Sequence, residues 1–439
     1  MSTEVSLRDI TTGVPVFYSK YEEARDNAND YDVISIYANI DEQIVLKNLV
    51  DVYIDPGTVE DFSGKGPTIT DNGQECKCNI SGGGIITNSY SDTDKKGCVE
   101  ISNSSSEVNI ECYRIENDGE SSTSTGGATV DVISAARFSL ICNRVFSKYN
   151  TAIKISDCPD FFLNITSVES GTPKNPNTGA PVLLIEADGS TYINELTCTG
   201  YGSCFLHKDG VAAATINKIS TLQPDTETST VANSTILLDA GTGDQDLVMY
   251  FDEIKNLNLY GGDAVKITEG KASLIGRSIN CVQGKSLDLI LNIVSAFIQC
   301  DEIISLSEGI NIDNSHDAIV IEANYIEGSD GNDGVIKSAS GSNYVLRNAK
   351  IKNTTSSSPS IGIYIDSGSS TTDQTIELEN LIIITGTDSI DYSIFRDGMT
   401  TGIEIKNLGL FVKKDKNSLV SFTIGTSTNF KYIVSPDIT

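Results

Sequence analysis

Residues 298–303 read IQCDEI, and the same six-residue pattern returns through most of the chain. Its form is apolar, any, small or apolar, two variable residues, apolar. From the N-terminal side it appears as IECYRI (110–115), LICNRV (140–145), LNITSV (163–168), TYINEL (191–196), ATINKI (214–219) and MYFDEI (249–254). It continues as LIGRSI (274–279), IQCDEI itself, IEANYI (321–326), LRNAKI (346–351), IELENL (376–381) and IEIKNL (403–408). From residue 115 to residue 408 there are eleven steps over 293 residues, each between 23 and 35, with an average near 27.

Between many of these copies lies a second strand type, a small residue followed by apolar alternation. It reads GCVEI (97–101), TAIKI (151–155), PVLLI (181–185), SCFLH (203–207), DAVKI (263–267), GVIKS (334–338) and IGIYI (361–365). Ile, Val, Thr and Tyr abound, and helix-length periodicity is almost absent after residue 31. A helix-free unit of this length excludes tetratricopeptide, ankyrin and leucine-rich arrays, and propeller blades need more residues. A parallel β-helix fits, because each coil supplies short strands that pair with the same strands above and below. At ~4.8 Å between strands, about 14 coils would make a rod on the order of 65 Å long. The expected fold class is all-β, a single-stranded parallel solenoid.

The hexapeptide can be read position by position. Strict alternation would bury positions one, three and five. Position five is instead often charged, as in Arg114, Arg144, Glu195, Lys218, Glu253, Glu302 and Lys350, while position six is always apolar. Two consecutive outward residues mark a corner. Two residues beyond position six stands a ladder: Asn117, Ser147, Ser170, Cys198, Thr221, Asn256, Cys281, Ser305, Gly328 and Asn353, broken at Ile383 and Leu410. Small or hydrogen-bonding residues at one repeat position are expected to line an inner corner and bond to the next coil. Cys112, Cys142 and Cys300 fall at or beside the inward position three, Cys198 and Cys281 on the ladder, and Cys98 and Cys204 in the second strand. They read as small hydrophobes of the stack, as do Cys76 and Cys78, which alternation sends to one face of a strand.

Composition narrows the function. The chain has 439 residues with 60 acids against 31 bases, a formal net charge of −29. Such a surface repels phosphate backbones and anionic lipid, so no nucleic acid and no membrane insertion are expected. Tryptophan is absent and there are two histidines, His207 and His316. That speaks against histidine-rich zinc sites and Ser-His-Asp chemistry, and no metal or cofactor is expected. Both histidines are expected at surface or turn positions. The ten cysteines form no C-x-x-C pair, and MSTEVSLRDI lacks the basic and apolar regions of a signal peptide. Synthesis in a reducing cytoplasm, without disulfides, is expected.

The N-terminal end differs from the middle. Residues 1–18 carry no strong pattern and read as an arm; 19–57 hold a short helix and the first strands; 58–439 form the repeat array. Ser19 and Glu22 have capping-box spacing, which places a helix in SKYEEARDNAND and over the open end of the stack. The polar stretches 120–128, 171–180 and 354–360 read as loops, and 418–425 and 430–435 as strands.

The segment VFYSKYEEARDNANDYDVISIYANIDEQIVLKNLVDVYIDPG (16–57) resembles the opening of right-handed parallel β-helix proteins of the pectin-lyase-like superfamily, in which phage tailspikes and virion fibres commonly begin this way. The resemblance implies a right-handed β-helix and is unspecific for activity, since the fold hosts lyases, hydrolases and inert fibres. Pectate-lyase-like enzymes need several acids on one strand face, and the polygalacturonase-like branch an aspartate trio with an adjacent pair. No Asp-Asp pair occurs in this chain. The catalytic candidates are Asp252, Glu253, Arg277, Asp301 and Glu302, which one coil per repeat stacks at one outward corner. A charge ladder between coils is the plainer reading of the same residues. A second acidic column, Asp157, Asp188, Asp209, Asp239, Glu269, Asp313, Asp366 and Asp397, reads as tight turns.

The leading expectation is a non-enzymatic structural protein of a phage virion, a homotrimeric fibre, spike or decoration that contacts the host. It would be located on the virion and bound to other virion proteins through its N-terminal arm. The alternative is a depolymerase, a lyase or glycoside hydrolase, acting on a host surface polysaccharide from the same scaffold.

Overall fold

Glu107–Asn117 shows how one hexapeptide turns a corner. Ile110 and Cys112 are buried, Tyr113 and Arg114 face outward in succession, and Ile115 is buried again. Arg137–Ser147 and Phe161–Ser170 repeat that pattern. Parallel pairing stacks Ile110 on Leu140 and Leu140 on Leu163. The break in alternation therefore comes from two outward residues at a bend, as the sequence predicts.

The computed structural model describes residues 4–412 except 65, 90–96, 118–126, 149, 172–179, 200–201, 223–233, 240–245, 260, 315–318, 331–332, 340–341, 357–359, 367–373, 385–391 and 398–402. His316, most of the loops expected at 120–128 and 171–180, residues 357–359 of the third, and the strands expected at 418–425 and 430–435 lie outside the described residues. The protein is nearly all β, 63% strand and 2% helical, with mostly parallel pairing. It divides into two compact units: residues 1–216 with 224–229, and residues 217–223 with 230–439.

In the first unit two columns of parallel strands interleave along the chain. One runs from Asp51–Ile54 through Lys77–Gly82, Glu107–Asn117, Arg137–Ser147 and Phe161–Ser170 to Gly189–Thr199. The other runs from Ile44–Val45 through Ile69–Thr70, Val99–Ile101, Val130–Val132, Ile153–Ser156 and Leu183–Glu186 to Phe205–Asp209. Rows such as Val99, Val130, Ile153 and Leu183 are fully buried. Each such side chain contributes about 1.5–3 kcal/mol through burial.

The second unit has two columns of its own, fused in long strands. Val265–Cys281 and Leu287–Ser305 each serve both, pairing in parallel with register shifts at Ile267/Glu269 and Gly270/Lys271. The first column continues through Ile319–Gly328, the paired segments Tyr344–Arg347 and Lys350–Asn353, and Gln374–Ile384. The second continues through Ile310–Asn314, Ile336–Ser338 and Ile361–Asp366.

The polar ladder is present where the sequence places it, with Asn117, Ser147, Ser170 and Cys198 in one register and Asn256, Cys281 and Ser305 in another. Several of its members bond to backbone at a neighbouring bend: Ser305 Oγ donates to the Gly284 carbonyl at 2.8 Å, and Asn353 Nδ2 to those of Asp330 and Ile361 at 2.7 and 2.8 Å. The break at the last two copies has a different cause from a change of residue. Leu346 pairs with Leu378 and Ile351 with Ile383, so the last copy but one is 378–383, two residues beyond IELENL. Ile383 pairs with Val412, which moves the final copy to 407–412. Apolar residues run on through both segments, and a hexapeptide pattern alone cannot choose among their registers.

At the N-terminal end Val5–Arg8 pairs antiparallel with both Pro15–Tyr18 and Val33–Ile36, so residues 5–18 form a hairpin laid on the first strand of the stack. The helix α1 spans Tyr21–Asn27, with Lys20 at its N-cap and no side-chain bond from that residue. The expected capping box does not form, because the helix starts one residue late for Ser19, whose hydroxyl reaches Glu23 instead. Glu42 takes over the capping. Its Oε2 accepts from the backbone N–H of Tyr21 at 3.0 Å and of Glu22 at 3.4 Å, where the helix dipole favours a carboxylate.

Candidate functional site

The acids and the arginine singled out in the sequence do share one corner of the second unit. Pairing of Phe251 with Gly276 and Gly276 with Cys300, and of Glu253 with Ser278 and Ser278 with Glu302, puts Asp252, Arg277 and Asp301 in line. Arg277 Nε donates to Asp252 Oδ1 at 2.6 Å and Nη2 to Oδ2 at 3.3 Å. That hydrogen bond holds the Asp252 carboxyl below its ordinary range. Glu253 pairs with Lys255 at 2.7 Å, and Asp301 accepts from Asn324 Nδ2 at 2.8 Å. Glu302 lies beside Tyr325, whose hydroxyl donates to Glu327. The set shares one corner, where Asp252 and Arg277 bond to each other in the open while Asp301 bonds to Asn324.

His207 corrects an expectation. It is fully buried, paired in register with Ile185 and stacked on Phe205 with the rings 6.4 Å apart and 8° from parallel. Alternation through SCFLH turns Phe205 and His207 to the same inner face, so the surface or turn position does not hold. All ten cysteines are buried free thiols. Cys76 and Cys78 share a face with their sulfurs 3.4 Å apart, and Cys112 stacks on Cys142 at 3.7 Å. The acidic column is turns only in part: Asp209 Oδ1 accepts from the amide of Gly210, whose φ is 87°, but Asp188 Oδ1 accepts from the Val211 amide of the next coil, and Glu269, Asp313 and Asp366 lie within strands.

The densest chemistry lies elsewhere in the second unit. Parallel register places Lys266, Asp288, Asn311, Lys337 and Tyr364 in one row at the middle of five successive second-column strands. Asp288 is almost completely buried and takes three partners: Lys285 Nζ at 2.9 Å, Asn311 Nδ2 at 2.7 Å and Lys266 Nζ at 3.6 Å. Asp263 Oδ1 accepts from the Lys285 backbone amide at 2.9 Å, and Lys337 pairs with Asp333 at 3.1 Å. Burial, then the neighbouring Asp288 carboxylate, raise the Asp263 carboxyl above its ordinary value. Burial works against the charge of Lys285, yet its hydrogen bond to Asp288 keeps the ammonium above its usual range.

Glu308 sits at the bend before Ile310–Asn314, 8% exposed, and its Oε1 has no hydrogen-bond partner. Burial pushes its carboxyl up to about 7, against the pull of Lys285 and Lys337. A buried acid shifted by desolvation and by specific charged neighbours is a candidate functional group. Among the described residues no group of three His, Cys, Asp or Glu has the geometry to hold a metal ion.

This array is not visible in the residue ladders that the sequence displays most plainly. Its trace is the middle residue of the second-column strands, polar in DAVKI, SLDLI, INI and VIKS, but the same row of the first unit is also polar at Glu100, Asp131 and Lys154 before it turns to Leu184 and Leu206. Neither family models, curated proteins nor solved structures gave a match to this chain.

Proposed function

We propose that each unit is a stretch of right-handed, single-stranded parallel β-helix of the pectin-lyase-like kind, and that the protein is a structural component of a phage-like particle. It would act as a homotrimeric fibre, spike or decoration contacting the host surface. The observation that carries this reading is that outward charges are spent on neighbouring strands. Arg144 bridges Glu116 at 3.0 Å and Glu169 at 2.8 Å, and Arg277 is tied to Asp252. Charges matched strand to strand stiffen a scaffold and leave few groups free for chemistry. Attachment to other particle proteins through the N-terminal end is supported by Val14, Val16 and Phe17, which are more than half exposed on and beside the edge strand Pro15–Tyr18. Imaging intact particles with a label on this chain tests the reading. Absence of label from every particle, or a monomeric mass in solution and on the particle, would sink it.

A second reading, a polysaccharide depolymerase, is favoured by one observation: Glu308, a buried carboxyl poised near neutrality beside two lysines. A group with that pKa suits general acid catalysis on a glycosidic bond. Incubation with host capsule or lipopolysaccharide decides between the two. Released oligosaccharides would establish the enzyme, and loss of release in Asp301→Ala or in Glu308→Gln would say which site performs it.

A further inference from the structure

Three side chains of the second unit converge on the Asp288 carboxylate. Asp288 is 4% exposed and Asn311 9%. Asp288 Oδ1 accepts from Lys285 Nζ at 2.9 Å and from Asn311 Nδ2 at 2.7 Å, while Oδ2 faces Lys266 Nζ at 3.6 Å. A lysine amine and a carboxamide nitrogen thus share one buried oxygen, and they stand no farther apart than those two bonds laid end to end.

Backbone pairing holds the three groups in place. Asp288 and Asn311 are register partners on parallel strands. The Lys285 carbonyl accepts from the Ala264 amide at 2.9 Å, and its own amide donates to Asp263 Oδ1 at 2.9 Å. Two residues on, the Leu287 amide donates to the Gly309 carbonyl at 3.0 Å. Other amide–carboxylate bonds also cross between strands, from Asn79 to Asp51, Asn324 to Asp301 and Asn348 to Glu322, but these lie in the open. Of the other lysines in the row, Lys266 is on the far oxygen and Lys337 is turned to Asp333 at 3.1 Å. Lys285 is therefore the amine that meets the amide across a shared oxygen.

We propose that Lys285 and Asn311 join in an isopeptide bond, Nζ to Cγ, which staples successive strands of the stack, with Asp288 as the proton carrier. A lysine amine is a nucleophile once it has lost its proton, and a carboxylate bonded to it can take that proton. Nζ attacks Cγ, so the Nζ–Cγ bond forms and the Cγ–Nδ2 bond breaks. Asp288 Oδ1 takes two protons in turn from Nζ and gives both to Nδ2, which leaves as ammonium. One ammonium enters and one departs, and nothing is oxidised or reduced. Fixed geometry supplies the proximity that such a reaction needs, and burial keeps competing water from the carboxylate. The bond would stiffen the stack wherever the protein acts, so it stands apart from the function proposed above.

Intact-mass measurement and peptide mapping of the purified full chain test this. Wild type should weigh one ammonia less than its sequence. Cleavage after glutamate places Lys285 in fragment 270–302 and Asn311 in fragment 309–322, and the two should run as one linked peptide. Lys285→Arg, which keeps a positive charge beside Asp288, should show the full mass and separate fragments. Asp288→Asn, followed from synthesis onward, should form the link about a hundredfold more slowly. Separate fragments in the wild type overturn the proposal. So does a link from Asn311 to fragment 254–269 or 328–377, which carry Lys266 and Lys337, or one that persists in Lys285→Arg. Linking of Asp288→Asn at the wild-type rate overturns the role of the carboxylate and with it the proposal. If Asp288→Asn does not fold, the maps of wild type and Lys285→Arg decide.

Discussion

Glu60 and Glu308 are the same side chain, nearly or wholly buried in the two units, and their surroundings give them different chemistry. Glu60 lies between Ile40 and Ile86 on neighbouring strands, fully buried, with neither oxygen hydrogen-bonded. Burial, reinforced by Glu42, pushes it up to about 8. Glu308 is also raised by burial, but Lys285 and Lys337 pull it back to about 7. Burial with another acid beside it thus makes a carboxyl that holds its proton past neutrality, enclosed by the core. Burial with cations acting on it, at the bend before such a row, makes one that releases its proton nearer neutrality.

That contrast can be broken by titration. A carboxyl raised in the fold keeps its proton where the unfolded chain has released it. Its contribution to stability is therefore complete below the ordinary value of 4.5 and drains away as pH rises through the folded value. For Glu60 the rise to about 8 corresponds to ~5 kcal/mol lost by pH 9, the largest effect expected here. Urea unfolding of Glu60→Leu should show that loss removed, since an apolar side chain is at home in that position. For Glu308 the same arithmetic gives ~3 kcal/mol, drained between about pH 5 and pH 8 and flattened in Glu308→Gln. An unchanged pH dependence in Glu308→Gln would mean that Glu308 does not carry its proton into the folded state.

Smaller effects sharpen the picture of the second unit. Asn353→Ala removes donors to one buried and one half-buried carbonyl and should cost about 1–2 kcal/mol in the unfolding midpoint analysis. Arg277→Ala removes only an open ion pair and should leave the midpoint unchanged within error. A large loss from Arg277→Ala would show that the first-column ladder is more than a solvated row.

Much of the repeat architecture was readable from residue type. The hexapeptide, its corner and the polar ladder follow from alternation, because a buried position tolerates only apolar or hydrogen-bonded side chains. The reading failed where several apolar residues follow one another, as in LENLIII (378–384), since alternation then fixes no register. It also failed at His207, where a polar residue sits on an inner face, and at Ser19, where capping spacing was satisfied by the wrong residue of the turn.

The candidate site was legible only in pieces. Sequence by itself determined that the chain is β-rich, periodic, acidic and built around stacked apolar rows, because those properties are written in single residues and short spacings. Only the tertiary structure decided that Lys266, Asp288, Asn311 and Lys337, separated by 22, 23 and 26 residues, share one row with Glu308 beside it. The physical reason is that lateral neighbours in a parallel sheet are set by register, and register depends on the length and path of every bend between the strands.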